Sequence, residues 1–300
     1  MTVPYEREIF WKSVLLFTIL SGAGSLFIIV SILKGLRKDF SARLVLYLSI
    51  ADFCLSIICL ALCGYNLYYG YLQDAQAFAC RFQPVITWYF MEASILWLTT
   101  ISIHSYKVVF YDFSFSLKQE IFVNFACWGF PLITSTLPLI SGIGETYGQR
   151  NDLWCSFVGK EPQLLNILLY YLPCLLVIAF CYVSIIVQIL GLRKFKNRIH
   201  LDEKKMRMIK KLFLFVLAYF VVWTPLTISY IYEFSTGTYI SFVTEYIVDN
   251  LLHVQGMLNF ILYGINENLI KELRNYLGKF KETLSRESST ENIPKMVFVE

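Results

Sequence analysis

Long stretches of this chain carry no charge at all. Ile121 to Ser141, Leu164 to Leu192 and Leu212 to Tyr232 lack Asp, Glu, Lys, Arg and His entirely, and each is long enough to cross about 30 Å of hydrocarbon as a helix. Across the 300 residues only 16% are charged while 57% are hydrophobic and 17% aromatic. With a mean hydropathy of +0.56, that composition excludes an ordinary soluble domain. Histidine is nearly missing as well: His104, His200 and His253 are the only ones, which argues against a His-rich metal centre. No Asn-x-Ser/Thr acceptor occurs, so N-glycosylation is not expected.

Four further segments qualify as spans with one or a few polar interruptions: Ser13 to Leu33, Leu44 to Asn66, Phe82 to Phe110 and Val243 to Ile265. Unpaired backbone groups are so costly in lipid that runs of this length read as helices packed together rather than as a barrel. The expected fold is an all-α membrane protein, a seven-transmembrane helix bundle forming one domain over residues 1–282. Between the spans, 21 of the 26 Lys and Arg residues fall on one side, and the positive-inside rule makes that side cytoplasmic. The N-terminus is then outside and the C-terminus inside, in a multi-pass protein of the plasma membrane. Residues 1–10 are too short and too charged for a cleaved signal peptide, so span one is expected to act as signal anchor and the mature chain to begin near Met1. The net charge of +4 reflects the inner-face excess and gives no reason to expect nucleic-acid binding.

Six of the eight cysteines fall within spans, where they read as small apolar residues. Cys80 and Cys155 lie on the outer side, at the head of span three and in the second outer loop, and are expected to form a disulfide there. The inner loop GLRKFKNRIHLDEKKMRMIKK (191–211) is basic throughout. It reads either as a positive-inside anchor or as a docking surface, on helices that continue spans five and six beyond the lipid. After span seven, Leu269, Ile270, Leu273, Tyr276, Leu277, Phe280 and Leu284 recur at helical spacing with basic residues between them. This predicts an amphipathic helix over about 267–282 lying at the membrane surface. Residues 283–300 read as a disordered tail in which Thr283, Ser285, Ser288, Ser289 and Thr290 are candidate phosphorylation acceptors.

The run DNLLHVQGMLNFILYG (249–264) is the most polar stretch inside any span. At about 100° per residue, Glu245, Asp249, His253, Gly256, Asn259 and Tyr263 fall within roughly a 120° arc of span seven, with Gln255 at its edge. Span three carries a second stripe of Trp88, Glu92, Ile95, Thr99, Ser102 and Tyr106. Asp52 stands mid-span in LYLSIADFCLSI, where it is suited to pair with water, a cation or Asn259. Ionisable groups at such depth face a bundle interior or a cavity and mark function. His104, opposite Glu92 on span three, reads as packing. Pro225 and Pro173 interrupt the helical ladders of spans six and five and mark candidate hinges; Pro131 and Pro138 in span four read as packing residues.

These features together resemble a G-protein-coupled receptor. RLVLYLSIADF (43–53), CWGFPLI (127–133), WC (154–155) and QGMLNFILYGINENL (255–269) resemble the cyclic-AMP-receptor-like family. Rhodopsin-type receptors share less. Asn259 and Tyr263 keep the spacing of their span-seven motif with Phe260 in place of proline, and Trp223-Thr-Pro225 matches their span-six turn. Their Asp-Arg-Tyr is replaced by HSYKVVF, and their span-one Asn by Ser25.

The resemblance implies a receptor that takes an extracellular ligand of unknown identity, shifts the inner ends of spans five and six, and opens a groove for a heterotrimeric G protein. Trp88, Glu92, Tyr230, Glu245, Asp249 and His253 are then the ligand-binding candidates. Asp52, Trp223, Pro225, Asn259 and Tyr263 are the switch candidates. Tyr106, Lys107, Arg193, Lys194, Lys204, Lys205, Arg207 and Lys210 would face the G protein. No catalytic residue, cofactor or metal is implied, and an enzyme is not expected. On the outer side Arg7, Lys12, Arg81, Arg150 and Lys160 are outnumbered by Glu6, Glu8, Asp74, Glu145, Asp152, Glu161, Glu233, Glu245 and Asp249, which favours a cationic or neutral ligand over cyclic AMP. A retinal protein is disfavoured because no lysine falls between Val243 and Ile265. The competing reading is a seven-helix transporter or channel with a polar path between spans two, three and seven.

Overall fold

The computed structural model of the chain describes residues 4–36, 40–69, 78–111, 115–140, 147–150, 154–157, 167–194, 203–267 and Gly278. Its helices are α1 (Pro4–Ser31), α2 (Phe40–Tyr69), α3 (Phe78–Tyr111), α4 (Leu117–Ile140), α5 (Leu172–Lys194), α6 (Glu203–Thr236), α7 (Phe242–His253) and α8 (Gln255–Glu267). One wide π turn, Ile32–Leu36, continues α1, and another, Ile167–Tyr171, leads into α5. Each expected span falls on one rod, with α7 and α8 together forming the seventh. Among the described residues, Tyr5–Lys34, Phe40–Tyr68 and Phe82–Tyr111 are long and apolar enough to cross a membrane by length and composition alone. The rods outrun the apolar windows because helical hydrogen bonding does not stop where the lipid does. The amphipathic helix expected over 267–282, apart from its ends of description at Glu267 and Gly278, and the tail lie outside the described residues.

Local chemistry accounts for the element ends. Ser116 and Gln119 cap α4 reciprocally: the Gln119 N–H donates to Ser116 Oγ at 3.4 Å and the Ser116 N–H to Gln119 Oε1 at 3.0 Å, a capping box. Ser241 caps α7 by accepting from the Thr244 N–H. Gly237, at φ 74°, lets the chain turn out of α6 while its N–H donates to Glu233 O at 2.9 Å.

Helix α3 is the hub, touching α2, α4, α5, α6 and both strands of the outer hairpin. The core runs along it through Trp88, Ile95, Trp97, Leu98 and Ile101, joined by Tyr171 from the π turn before α5, Tyr182 from α5, and Tyr219 and Trp223 from α6. Strands β1 (Tyr147–Arg150) and β2 (Trp154–Phe157) pair antiparallel with Gln149 opposite Cys155. A Cys80–Cys155 disulfide ties β2 to the head of α3, the bond expected from the sequence.

The seventh rod is held against the first at glycine contacts. A side chain on Gly24 would meet Phe260 Cβ at 2.8 Å, and one on Gly256 would meet the Ser21 carbonyl at 2.9 Å. Small residues permit this backbone approach. The rod breaks at Val254, and the N–H of Gly256 donates to Ser21 Oγ at 2.9 Å. An amide that would close the helical ladder is thus satisfied by the neighbouring helix, as a buried backbone donor requires.

Candidate functional site

At the end expected to face outward, the bundle opens into a cavity between α2, α3, α6 and α7, roofed by Cys155 and Ser156 of β2 and enclosing about 890 Å³ of empty space including its mouth. Leu55, Cys59, Pro84, Met91, Leu226, Val248 and Leu252 give it an apolar wall, with Trp88, Trp223 and Tyr230 as aromatic panels. Its polar groups are few: Gln83 and Thr87 from α3, Ser229 from α6, Glu245, Asp249 and His253 from α7, and Gln255 at the floor. An apolar chamber with a handful of placed polar groups is the usual form of a small-molecule site. Glu245 lies in the first turn of α7, where the helix dipole favours an anion.

Beneath the floor lies a buried polar cluster around Asp52, which is 3% exposed. Ser94 Oγ donates to Asp52 Oδ1 at 2.8 Å and Asn259 Nδ2 donates to Oδ2 at 2.7 Å. Gln255 Nε2 donates to Asp52 Oδ1 at 3.0 Å and to Ser94 Oγ at 2.6 Å, while Gln255 Oε1 accepts from Trp223 Nε1 at 2.8 Å. Four helices, α2, α3, α6 and α8, therefore meet through one amide side chain. A smaller cavity lined by Ser21, Asp52, Ser56, His253, Gln255 and Gly256 adjoins the cluster. His253 Nδ1 lies 3.4 Å from Thr18 Oγ1 of α1. Around Pro225, whose ring removes a ladder hydrogen bond, Thr227 and Ser229 return their hydroxyls to the carbonyls of Trp223 and Pro225 at 2.9 Å each.

Of the expected ligand contacts, Trp88, Tyr230, Glu245, Asp249 and His253 all line the cavity. Glu92 is elsewhere. It is wholly buried and accepts a hydrogen bond from Thr134 of α4, while its backbone carbonyl accepts from Tyr170 OH at 2.8 Å. Because α3 is surrounded by protein, a polar stripe on it has several interiors to face, and Glu92 faces the α4 and α5 side. Of the switch candidates, Asp52, Trp223 and Asn259 join the cluster, Pro225 sits two residues from its Trp223 end, and Tyr263 is buried in the same core.

At the inner end, Tyr106 stacks near Phe110 and Phe180, with centroids 4.5 and 5.9 Å away, and Lys107 Nζ lies 5.6 Å from the Phe115 ring. His104 is packed between Phe40 and Phe115, 5.0 and 5.6 Å away, and its Nε2 lies 3.2 Å from Ser41 Oγ. Arg43 grips Glu120 with two hydrogen bonds of 2.8 and 2.9 Å, tying α2 to α4. Arg193 and Lys194 end α5, and Lys204, Lys205, Arg207 and Lys210 lie in the first turns of α6; their side chains lie outside the described residues. Sequence reasoning missed Ser94, Met91, Gln83 and the Arg43–Glu120 pair. None of them had a distinctive signal, since Glu120 is one of several acids among the inner basic residues.

The chain matches the 7 transmembrane receptor (rhodopsin family) over residues 24–263. It is 30% identical over 259 residues to cyclic AMP receptor-like protein A of Dictyostelium discoideum, covering 86% of this chain and 64% of that protein. It is 25% identical over 273 residues to G-protein coupled receptor 1 of Arabidopsis thaliana, covering 87% of this chain and 79% of that protein. The crystal structure of squid rhodopsin superposes with a TM-score of 0.74 at 16% identity, over 98% of this chain and 94% of that one, a likeness of fold. The chain thus spans less than two thirds of the Dictyostelium relative's length. A bundle with an apolar outer chamber, a buried acid at its floor and this match over most of its length belongs to the rhodopsin-type seven-transmembrane receptor family, where it is similar to the cyclic-AMP-receptor-like proteins.

Proposed function

We propose that the chain is a plasma-membrane receptor, N-terminus outside, that binds an extracellular ligand in the outer cavity and activates a heterotrimeric G protein at its inner face. One observation carries the reading: Trp223 and Gln255 belong both to the cavity wall and to the Asp52 cluster. A ligand resting on Trp223 bears directly on the hydrogen bonds that join α2, α3, α6 and α8. It shifts the balance between two bundle packings, and it activates only through its preference for the open one. Pro225 gives α6 the point about which its inner half swings. The separation of the basic inner ends of α5 and α6 then admits the C-terminal helix of the G protein, a helix-in-groove contact.

The test is a ligand screen on the full chain in lipid nanodiscs, read as nucleotide exchange on a panel of G proteins. Ligand-dependent exchange is the expected outcome. The transporter or channel reading draws on the same Asp52 cluster, and ion flux in liposomes without ligand and without nucleotide exchange would establish it instead.

A further inference from the structure

We infer that the first turns of α1 are a latch on α7, with Phe10 as its bolt, and that α7 opens as a unit separate from α8 when the latch is released. The latch stands on packing alone. Its consequence, control of entry to the outer cavity, rests on the reading of that cavity as the ligand site. Residues 4–12 of α1 precede the expected span, which begins at Ser13, yet Phe10 is wholly buried and Trp11 is 4% exposed. Phe10 and Val14, four residues apart, share a face, while Glu8 and Lys12 pair with each other on the exposed side. The buried face packs with Cys63 of α2 and against Phe242 and Tyr246 of α7. Phe10 is the centre of that cluster, its ring centroid 5.3 Å from Trp11, 6.5 Å from Phe242 and 6.3 Å from Tyr246. Ring pairs at such distances add to the gain from burial itself.

Helix α7 needs such a hold. It has 12 residues, and an isolated helix shorter than about 12–15 residues is marginal without packing. It is also cut off from α8 at Val254, where the Gly256 N–H donates to Ser21 Oγ instead of closing the ladder. Helix α1 grips it at both ends, through the aromatic cluster at its head and through Thr18, whose Oγ1 lies 3.4 Å from His253 Nδ1, at its foot. The same short rod brings Glu245, Asp249 and His253 to the cavity wall. Releasing Phe10 therefore frees the polar side of the cavity and opens a way in between α1 and α7. A short helix with its own anchor and a broken ladder behind it has the makings of a separate cooperative unit.

The test uses the purified full chain in nanodiscs and two readouts, neither of which needs a ligand or a G protein. Cys63, wholly buried in the latch cluster, is a native thiol reporter. Its labelling by a water-soluble maleimide is followed peptide by peptide with mass spectrometry, and Cys127 of α4, also a buried free thiol, reports global unfolding. Amide hydrogen exchange is followed separately over 242–253 and 255–267. Phe10→Ala is expected to raise both Cys63 labelling and exchange over 242–253 by at least about tenfold, with Cys127 and α8 unchanged and Phe10→Leu falling between. Phe242→Ala opens the cluster from the α7 side and is expected to act alike, which keeps the test decisive should Phe10→Ala fail to fold. Exchange that rises equally in α7 and α8, Cys63 labelling without faster exchange in α7, or no change in either readout would overturn the inference. Labelling of Cys127 as fast as that of Cys63 would overturn it too, since Phe10 would then support the whole bundle. A failed latch leaves the proposed signalling role standing, whereas a working latch in a chain that evokes no nucleotide exchange loses its link to ligand entry and keeps its mechanics.

Discussion

Gln255 spends its amide in two directions, accepting from Trp223 on the cavity side and donating to Asp52 and Ser94 on the other. Replacing it by Leu leaves the Trp223 N–H without this acceptor and Asp52 without one of its donors. Each buried group so exposed to apolar surroundings costs about 1–3 kcal/mol. Gln255→Leu is therefore expected to lower the unfolding midpoint in detergent clearly, and Trp223→Phe, which removes a single donor of the cluster, to lower it less. Equal midpoints for Gln255→Leu and the parent would show that the cluster is not coupled through this side chain. Part of this chemistry was legible: an acid at the depth of Asp52 needs a partner, which the sequence narrowed to water, a cation or Asn259, and Asn259 donates to it in the structure. Ser94 gave no signal, since serine is common in membrane helices and its bond to Asp52 depends on how α2 and α3 are rotated. Gln255, at the edge of its polar arc, was visible as a residue but not as a junction.

At the scale of the helices, the break at Val254 and the contact of α8 with α1 are one device. The N–H of Gly256 has left the ladder for Ser21 Oγ, and the space a methyl group would need is taken by Ser21 and Ser25. Gly256→Ala is expected to destabilise the bundle by about 1–3 kcal/mol through overpacking. Gly64 in α2 has nothing within 4 Å of where its Cβ would stand, so Gly64→Ala is expected to stabilise by about 0.5–1 kcal/mol by relieving the backbone entropy of glycine in a helix. Paired unfolding measurements on the two variants, opposite in sign, check the packing directly. Hydropathy made the seven rods legible because lipid imposes length and apolarity on each. It does not reveal the π turn at Ile167–Tyr171 that precedes α5, within which Tyr170 and Tyr171 are both buried. Two adjacent residues facing inward contradict simple helical periodicity, and each finds partners: Tyr170 bonds the Glu92 carbonyl and stacks on Phe130, while Tyr171 packs against Trp88 and Trp223.

For the whole molecule, the hairpin is the part that depends on covalent closure. Its short strands join the bundle through α3, and the disulfide encloses a loop with a sequence separation of 75 residues. Removing it is expected to cost about 2–4 kcal/mol. Cys80→Ser, Cys155→Ser and the double variant should show the same loss, because all three delete one bond and their effects are not additive. A double variant much less stable than either single one would show that the two thiols act separately. The orientation of Glu92 belongs to this scale as well. Its stripe on α3 was readable, yet the neighbour it faces is settled only when the hub helix has been surrounded on every side.

Biosynthesis inherits a delay from that bond. At about 5–20 residues per second, roughly 4–15 s of synthesis separate the appearance of Cys80 from that of Cys155, and α4 is made in between. Throughout that interval the nascent chain carries an unmatched thiol at the head of α3. The roof over the cavity is therefore sealed only after α3 and α4 have both been synthesised.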